Sequence, residues 1–465
     1  MNNYLQRLFL RYRMVPETPE IVASEYTVER VNYSRVGLII TIAVIAWGIF
    51  FWQVASQGAA MILPVIMKQY HASDSLIALF IGSIPYLLNM IINPIISFKS
   101  DRVRSRLGRR LPYMMISVPL VFLSFLGVGW SPELGTLLAN LGNWDVDKVI
   151  LVLLCAFIVV QGVSFLFISC TFYYLFVDVI PEKLFGRFMA VFQVTCALAG
   201  LAISRYLLPY AESYFQWVNT LMGALYAGAL LVLIMLVKEG EYPPVSDKEN
   251  TVTILGSIKT FFTECFAIPF YYWFFVMISL GEVSMICRST FNVLYAKQNL
   301  GIDLPGYGQI MVYYMIISVI LSIPVGILID KFNALTVYMA GLLLIVLVNI
   351  FGFYIVSDYN SFFVFTMLLA IVYTVHNSAS LPVYVAILPK ERFGQYSAAT
   401  ALFRSTIMFI GGYVGGMYIE YMGNYQYIFM WDFILTSASL LVMIGLYMAW
   451  KKRGGKLAYV APMKD

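Results

Sequence analysis

Apolar residues in this chain do not alternate with polar ones over short runs. They gather into twelve long blocks, near 37–67, 74–98, 112–130, 149–177, 188–209, 216–237, 268–296, 306–329, 335–356, 361–388, 394–418 and 426–450. A bilayer core about 30 Å thick needs about 20 apolar residues per spanning helix. In lipid every backbone N–H and C=O must be bonded internally, so such blocks predict helices; a barrel would need shorter, alternating segments. The pattern therefore predicts an all-α integral membrane protein with twelve transmembrane helices. The least apolar internal stretch, 238–262, includes EGEYPPVSDKEN and divides the spans six and six. The expected segments are an N-terminal stretch 1–36, a six-helix half 37–237, a linker 238–267, a second six-helix half 268–450 and a tail 451–465.

Composition agrees. Of 465 residues, 61% are hydrophobic and only 12% are charged, about half the charged share of a soluble domain. The first 35 residues are polar and carry Arg7, Arg11, Arg13, Arg30 and Arg35, so no signal peptide is expected. With an N-terminus placed in the cytoplasm, 24 of the 30 Lys and Arg residues fall inside and 3 outside, and 3 more (Arg205, Arg288, Arg404) lie within spans. That asymmetry predicts cytoplasmic termini in a cell membrane. It also accounts for the net charge of +5 without a nucleic-acid partner. Cys155, Cys170, Cys196, Cys265 and Cys287 sit in or beside apolar runs with no paired spacing, and read as packing residues rather than disulfides or metal ligands. No phosphate-binding loop, metal cluster or catalytic triad is visible, so no enzyme, metal or cofactor is expected.

The two halves resemble each other. At an offset of 208, FVDVIPEKLFGRFMA (176–190) aligns with YVAILPKERFGQYSA (384–398); at 229, Lys68-Gln69 meets Lys297-Gln298 and Asp101 meets Asp330. Duplication of this kind, with a linker between six-helix halves, is the layout of the major facilitator superfamily. That resemblance implies rocking of the halves about a central site near the bilayer midplane.

SDRVRSRLGRRLPY (100–113) holds five arginines between two spans. With 48–115 and YYLFVDVIPEKLFGRFMAVF (173–192), it resembles sucrose-type and other carriers of the glycoside-pentoside-hexuronide:cation symporter family. The loop pattern S-D-R-x-x-S-R-x-G-R-R-x-P-[YF] is matched from Ser100 to Tyr113. Arginine forks grip carboxylates and helix C-terminal carbonyls, Gly108 permits a tight turn, and Pro112 suits a helix first turn. The expectation is a cytoplasmic latch of Asp101, Arg102, Arg106, Arg109 and Arg110, with Asp178 and Arg187 beyond the fourth span and Asp330 as the second half's counterpart. The alternative is a charge cluster that serves topology alone. In one respect the chain departs from the family: proton-coupled sucrose carriers have an acidic residue deep in the fourth helix, and here none precedes Asp178, at its inner end.

Ionisable groups inside spans are candidates for function by default. Glu282 and Arg288 lie about 9 Å apart along the seventh span and roughly 120° apart around it, so each needs a partner elsewhere. Glu282 aligns with Gln53 at the 229 offset. Candidate substrate contacts are Gln53, Gln57, Gln161, Glu282, Arg288, Asn292, Tyr373, His376 and Asn377; candidate cation-coupling groups are Glu282, Asp178 and Asp432. Each amide could instead tie helix to helix, His376 could be a structural residue, and Arg404 could pair with Asp432. The resemblance implies a secondary carrier for a sugar or glycoside, symported with H+ or Na+ and working as a monomer in the lipid bilayer. Alternatives are a carrier of sugar acids or other organic anions, an uncoupled facilitator, and a transport-inactive sensor or scaffold.

Overall fold

The chain is described here from a computed structural model, which covers residues 27–28, 31–32, 34–103, 105, 108–181, 184–237, 239 and 264–462. Apart from a two-residue antiparallel pair, Thr27–Val28 with Val31–Asn32, and short turns, the described residues form long helices. These are α1 (Arg35–Gln69), α2 (Asp74–Ile77, continued by a wide π turn Ala78–Ser83 and then Ile84–Arg102), α3 (Leu111–Gly142) and α4 (Val146–Val179). Next come α5 (Phe185–Ala202, extended by the π turn Ile203–Leu207), α6 (Phe215–Leu236) and α7 (Pro269–Ser284 and Ile286–Leu294, ending in the π turn Tyr295–Asn299). The last five are α8 (Leu304–Phe332), α9 (Ala334–Ile355), α10 (Tyr359–Ile387), α11 (Phe393–Met422) and α12 (Ile428–Lys452). Among the described residues eleven helices are long and apolar enough to cross a membrane. The remaining one, α11, is 30 residues long, but its glycines, hydroxyls and Arg404 make it less apolar.

The helix starts are legible as caps. Ser73, Asp145, Asp303, Asn333 and Asp358 each accept a backbone N–H from the first turn of the helix that follows. Asp358 and Ser361 complete a reciprocal capping box. Arg110, at the start of α3, supplies no such cap. Prolines interrupt the backbone hydrogen-bond ladder inside α1, α2, α3, α8 and α10.

Contacts group the chain into two compact units. The first comprises the described residues within Met1–Gly58, Ile91–Ala202 and Ser213–Thr251. Here α3 packs against α4 and α6 through small residues: a side chain at Gly135 would meet Ile150, and one at Gly223 would meet Phe125. Trp52, Phe172, Phe176 and Phe188 form an aromatic core between α1, α4 and α5.

The second comprises Ala59–Met90, Ile203–Glu212 and the described residues within Val252–Asp465. Its centre is α7, against α11 and α12, with α9 beside α12 and α10 packed on α9 and α8. Tyr271, Phe274, Phe275 and Tyr396 are buried there. Asp74–Ser83 of α2 lies on the glycines of α11, where Gly412 faces Ser83 and Gly416 faces Ala78. The end of α5 meets α8 where Gly308 faces the Ser204 carbonyl. On α8 the exposed stripe Ile316, Ile320, Ile323 and Ile327 recurs at helical spacing, as a lipid-facing surface must.

A methyl group at Gly308 would stand 2.2 Å from the Ser204 backbone oxygen, whereas at Gly228 it would meet nothing within 4 Å. Gly308→Ala is expected to cost about 1–3 kcal/mol and to lower the thermal midpoint of the purified protein, while Gly228→Ala leaves it unchanged.

Candidate functional site

Three charged constellations stand out, and local sequence explains each. The first is the α2–α3 loop. Gly108 has φ +111°, a left-handed conformation open to glycine, and a Cβ there would lie 2.6 Å from the Glu239 side chain. The turn it makes, closed by Ser105, brings Arg109 and Arg110 together. Both guanidinium groups bind Asp178 at the end of α4: Arg109 Nε donates to Oδ2 at 3.0 Å and Arg110 Nε to the same oxygen at 3.2 Å. Arg110 also bonds Ser100 and lies over the Tyr174 ring at 4.7 Å. Glu239 just after α6 supplies the cap that α3 lacks. Its carboxylate accepts the backbone N–H groups of Arg109 (2.7 Å), Arg110 (2.8 Å) and Leu111 (2.7 Å), an anion on a helix N-terminus.

Asp178 is thus the carboxylate that these arginines hold, and Arg187 stands exposed at the start of α5. The side chains of Asp101, Arg102 and Asp330, and all of Arg106, lie outside the described residues. Glu239 was missed because nothing in sequence links position 239 to position 110; the available signal was an acid immediately after a span. Burial pushes the Glu239 carboxyl above its ordinary range, helped by the Asp178 charge, while the three N–H bonds pull the other way.

The second constellation is sealed inside the second unit. Arg288 Nε donates to Asp432 Oδ2 at 3.0 Å, and the guanidinium also bonds Asn349. Tyr373 donates to the same Asp432 oxygen at 2.6 Å and Thr436 to the other at 3.1 Å. Phe365 and Phe429 lie beside the guanidinium, with ring centroids at 5.5 and 5.0 Å. Side-chain exposure is 8% for Arg288 and 0% for Asp432. The expected pairing of Arg404 with Asp432 is not formed, because Arg288 on α7 occupies that carboxylate.

Arg404 makes the third. Its Nη1 donates to Glu282 Oε1 at 2.7 Å, α11 to α7. This pair is half-open: side-chain exposure is 30% for Arg404 and 36% for Glu282. Glu282 sits near mid-span, three residues before Met285 interrupts α7; broken helices mark binding sites in transporters. As expected, Glu282 and Arg288 have separate partners.

The other candidates disperse. Gln57 donates to Gln53 at 3.0 Å and to the Cys196 carbonyl at 3.4 Å, within the first unit and on the same helix as Trp52. Gln161 is buried in α4 with its amide nitrogen unbonded. Asn292 donates to Tyr307 at 3.2 Å. His376 is buried, its ring 4.4 Å from that of Tyr338, while Asn377 is exposed. All five cysteines are free thiols.

Farther along the second unit, where α1, α7 and α11 end, lies a polar clasp. Asp74 accepts from Lys68 and Tyr425, both at 2.7 Å; Glu420 accepts the Ser75 N–H; Glu212 accepts from Gln69 at 2.7 Å and pairs with Lys297. Gln69 at the end of α1 and Lys297 at the end of α7 thus share one carboxylate, while Lys68, the repeat counterpart of Lys297, holds Asp74.

A sequence model described as Major Facilitator Superfamily matches residues 37–285 and 281–457. The general alpha-glucoside permease of Schizosaccharomyces pombe (strain 972 / ATCC 24843) is 28% identical over 190 residues, 38% of this chain and 33% of that protein. The match thus spans about a third of that relative's length. Among solved structures, a mutant of the nucleoside transporter NupG superposes with a TM-score of 0.66 at 12% identity, over 88% of this chain and 100% of that one. A sulfate complex of the peptide transporter POT gives 0.65 at 13%, over 90% and 96%. A D-xylose-proton symporter gives 0.59 at 15%, over 88% and 97%.

Two outcomes follow from the charges. Asp432→Ala leaves Arg288 buried without its counter-ion and is expected to cost about 3–5 kcal/mol, whereas the double change Arg288→Met with Asp432→Leu costs far less; thermal unfolding of the purified variants measures both. Glu239 has a raised folded pKa, so its titration contributes stability fully below the unfolded value near about 4.3 and loses it as pH rises through the folded value. Melting temperature against pH should show that falling component in the wild type and lack it in Glu239→Gln.

Proposed function

This chain belongs to the Major Facilitator Superfamily, a multi-pass membrane transporter rather than an enzyme, and we propose that it carries a sugar or glycoside by alternating access, in symport with a cation. The observation that carries the sugar reading is the half-buried Gln53–Gln57 amide pair in the first unit. The Gln53 amide also reaches the Cys196 thiol, and Cys196 neighbours the exposed Tyr173 ring. Amides offer the donors and acceptors that sugar hydroxyls need, and aromatic faces suit sugar C–H faces. The partial likeness to an alpha-glucoside permease points to the same class. An obligate anion carrier has less support, since Arg288 and Arg404, the arginines within the spans of the second unit's α7 and α11, already face carboxylates.

Orientation follows the charge count: 24 of 30 basic residues on the side of both termini makes that side cytoplasmic. In the sequence the expected linker 238–267 separates the two six-helix halves. The Arg109–Arg110–Asp178–Glu239 cluster is then the cytoplasmic latch, tying α2, α3 and α4 to the start of that linker. The clasp around Asp74 and Glu212 is its extracellular counterpart. Each would hold one side shut while the other opens.

Proteoliposomes holding the purified protein should take up labelled maltose, sucrose or methyl α-D-glucoside, faster with a cation gradient directed inward. Asp178→Asn should slow uptake at least several-fold without loss of membrane insertion. Uptake confined to acidic sugars, or to none of these compounds, would overturn the neutral-sugar reading; an unchanged rate in Asp178→Asn would remove the latch.

A further inference from the structure

We propose that the stretch following α12 is a docking surface for the headgroups of anionic lipids. Ile434, Leu441, Ile444 and Met448 are exposed along α12 at helical spacing, a face suited to acyl chains. Lys451 and Lys452 follow Met448 by three and four residues, so they top that face. Both are exposed, as are Arg453 and Lys456. Four basic residues thus fall within six positions, and from residue 433 to 462 the sequence holds no Asp or Glu. Among the described residues Lys451, Lys452 and Lys456 form no ion pair.

This stretch is held in place rather than trailing into water. Gly454, at φ +102°, and Gly455, at φ +55°, turn the chain back on the bundle. A side chain at Gly454 would stand 2.4 Å from the Ala458 carbonyl oxygen. After the short helix Gly455–Ala458, two bonds strap the chain down. The Tyr459 hydroxyl donates to the Ile387 carbonyl at the end of α10 at 2.8 Å. Buried Tyr271, at the start of α7, donates to the Pro462 carbonyl at 2.8 Å. The Tyr459 ring packs beside Phe270 and Trp450, with centroids 6.0 and 6.4 Å away. Arg453 lies over Phe270 at 4.8 Å. The lysines therefore stand on a fixed platform that joins α7, α10 and α12.

The chemistry selects the partner. Clustered ammonium groups immediately beyond a span attract anionic headgroups, and the attraction adds up lysine by lysine. Val460, 77% exposed, puts an apolar side chain on the same stretch. Basic and apolar side chains together fit a membrane surface, where phosphates meet the first and acyl chains the second. A nucleic acid or an acidic peptide would match the lysines and leave Val460 and the α12 face in water. A headgroup bound here favours the folded second unit, because the platform exists only when α7, α10 and α12 are assembled.

Thermal unfolding of the purified full chain in neutral detergent, titrated with dioctanoyl phosphatidylglycerol, tests this. The midpoint should rise with lipid concentration, more than with dioctanoyl phosphatidylcholine, and the rise should shrink at high salt. Lys451→Gln with Lys452→Gln should raise the half-maximal lipid concentration about tenfold or more, since each lysine at a membrane surface is worth about fivefold. Lys331→Gln with Lys390→Gln removes the same charge from isolated exposed lysines and should leave that concentration within about twofold of the wild type. Equal losses in the two double variants would overturn the proposal. So would equal stabilisation by phosphatidylcholine, or by inorganic phosphate without a lipid chain. Should Lys451→Gln with Lys452→Gln not fold, Lys456→Gln is compared with Lys331→Gln instead, and the same two outcomes decide.

Discussion

An ionised side chain at the centre of a membrane helix costs about 2.5–3.5 kcal/mol even by the mildest scale, so every such group in this chain has to find a counter-charge or water. That constraint organises the second unit. Arg288 meets it by complete enclosure: a carboxylate, an amide and two aromatic faces surround it, and four helices (α7, α9, α10 and α12) are tied together in the process. Arg404 meets it by half-enclosure, against Glu282. A sealed pair serves folding and specificity of packing. A pair left part-open keeps about a third of each side chain within reach of solvent or a ligand.

The same rule operates at the helix ends. The partial positive charge at the start of α3 is met by Glu239 from the far side of three intervening helices in sequence, and Gly108 is there because nothing larger fits against that carboxylate. The loop arginines then hold Asp178. The carboxylate at the end of α4 and the one after α6 are therefore parts of one cluster, and the Asp178 charge adds to the upward push on the Glu239 carboxyl.

Much of the fold was legible because lipid imposes a simple code. Block length marked the spans, and Ser73, Asp145, Asp303, Asn333 and Asp358 sit at five of the helix starts. The loop arginines were recognisable as a clamp because fork geometry and the Gly and Pro positions go together. Pairing of distant charges was not legible. Asp432 lies 144 residues from Arg288, and Arg404 lies 122 residues from Glu282; helix periodicity says which way a side chain faces along its own helix but not which helix arrives opposite. The face shared by Tyr373 and His376 illustrates this. Their spacing is right for one surface, yet Tyr373 serves Asp432 and His376 packs on Tyr338, inside the second unit.

The sealed pair and the part-open pair should therefore respond differently to loss of their carboxylate charge. Thermal unfolding of purified Asp432→Asn beside Glu282→Gln tests this most directly. Asp432→Asn, which strands Arg288 in a closed site, should lower the midpoint far more than Glu282→Gln, whose Arg404 partner is part-exposed. Equal losses from the two substitutions would contradict it.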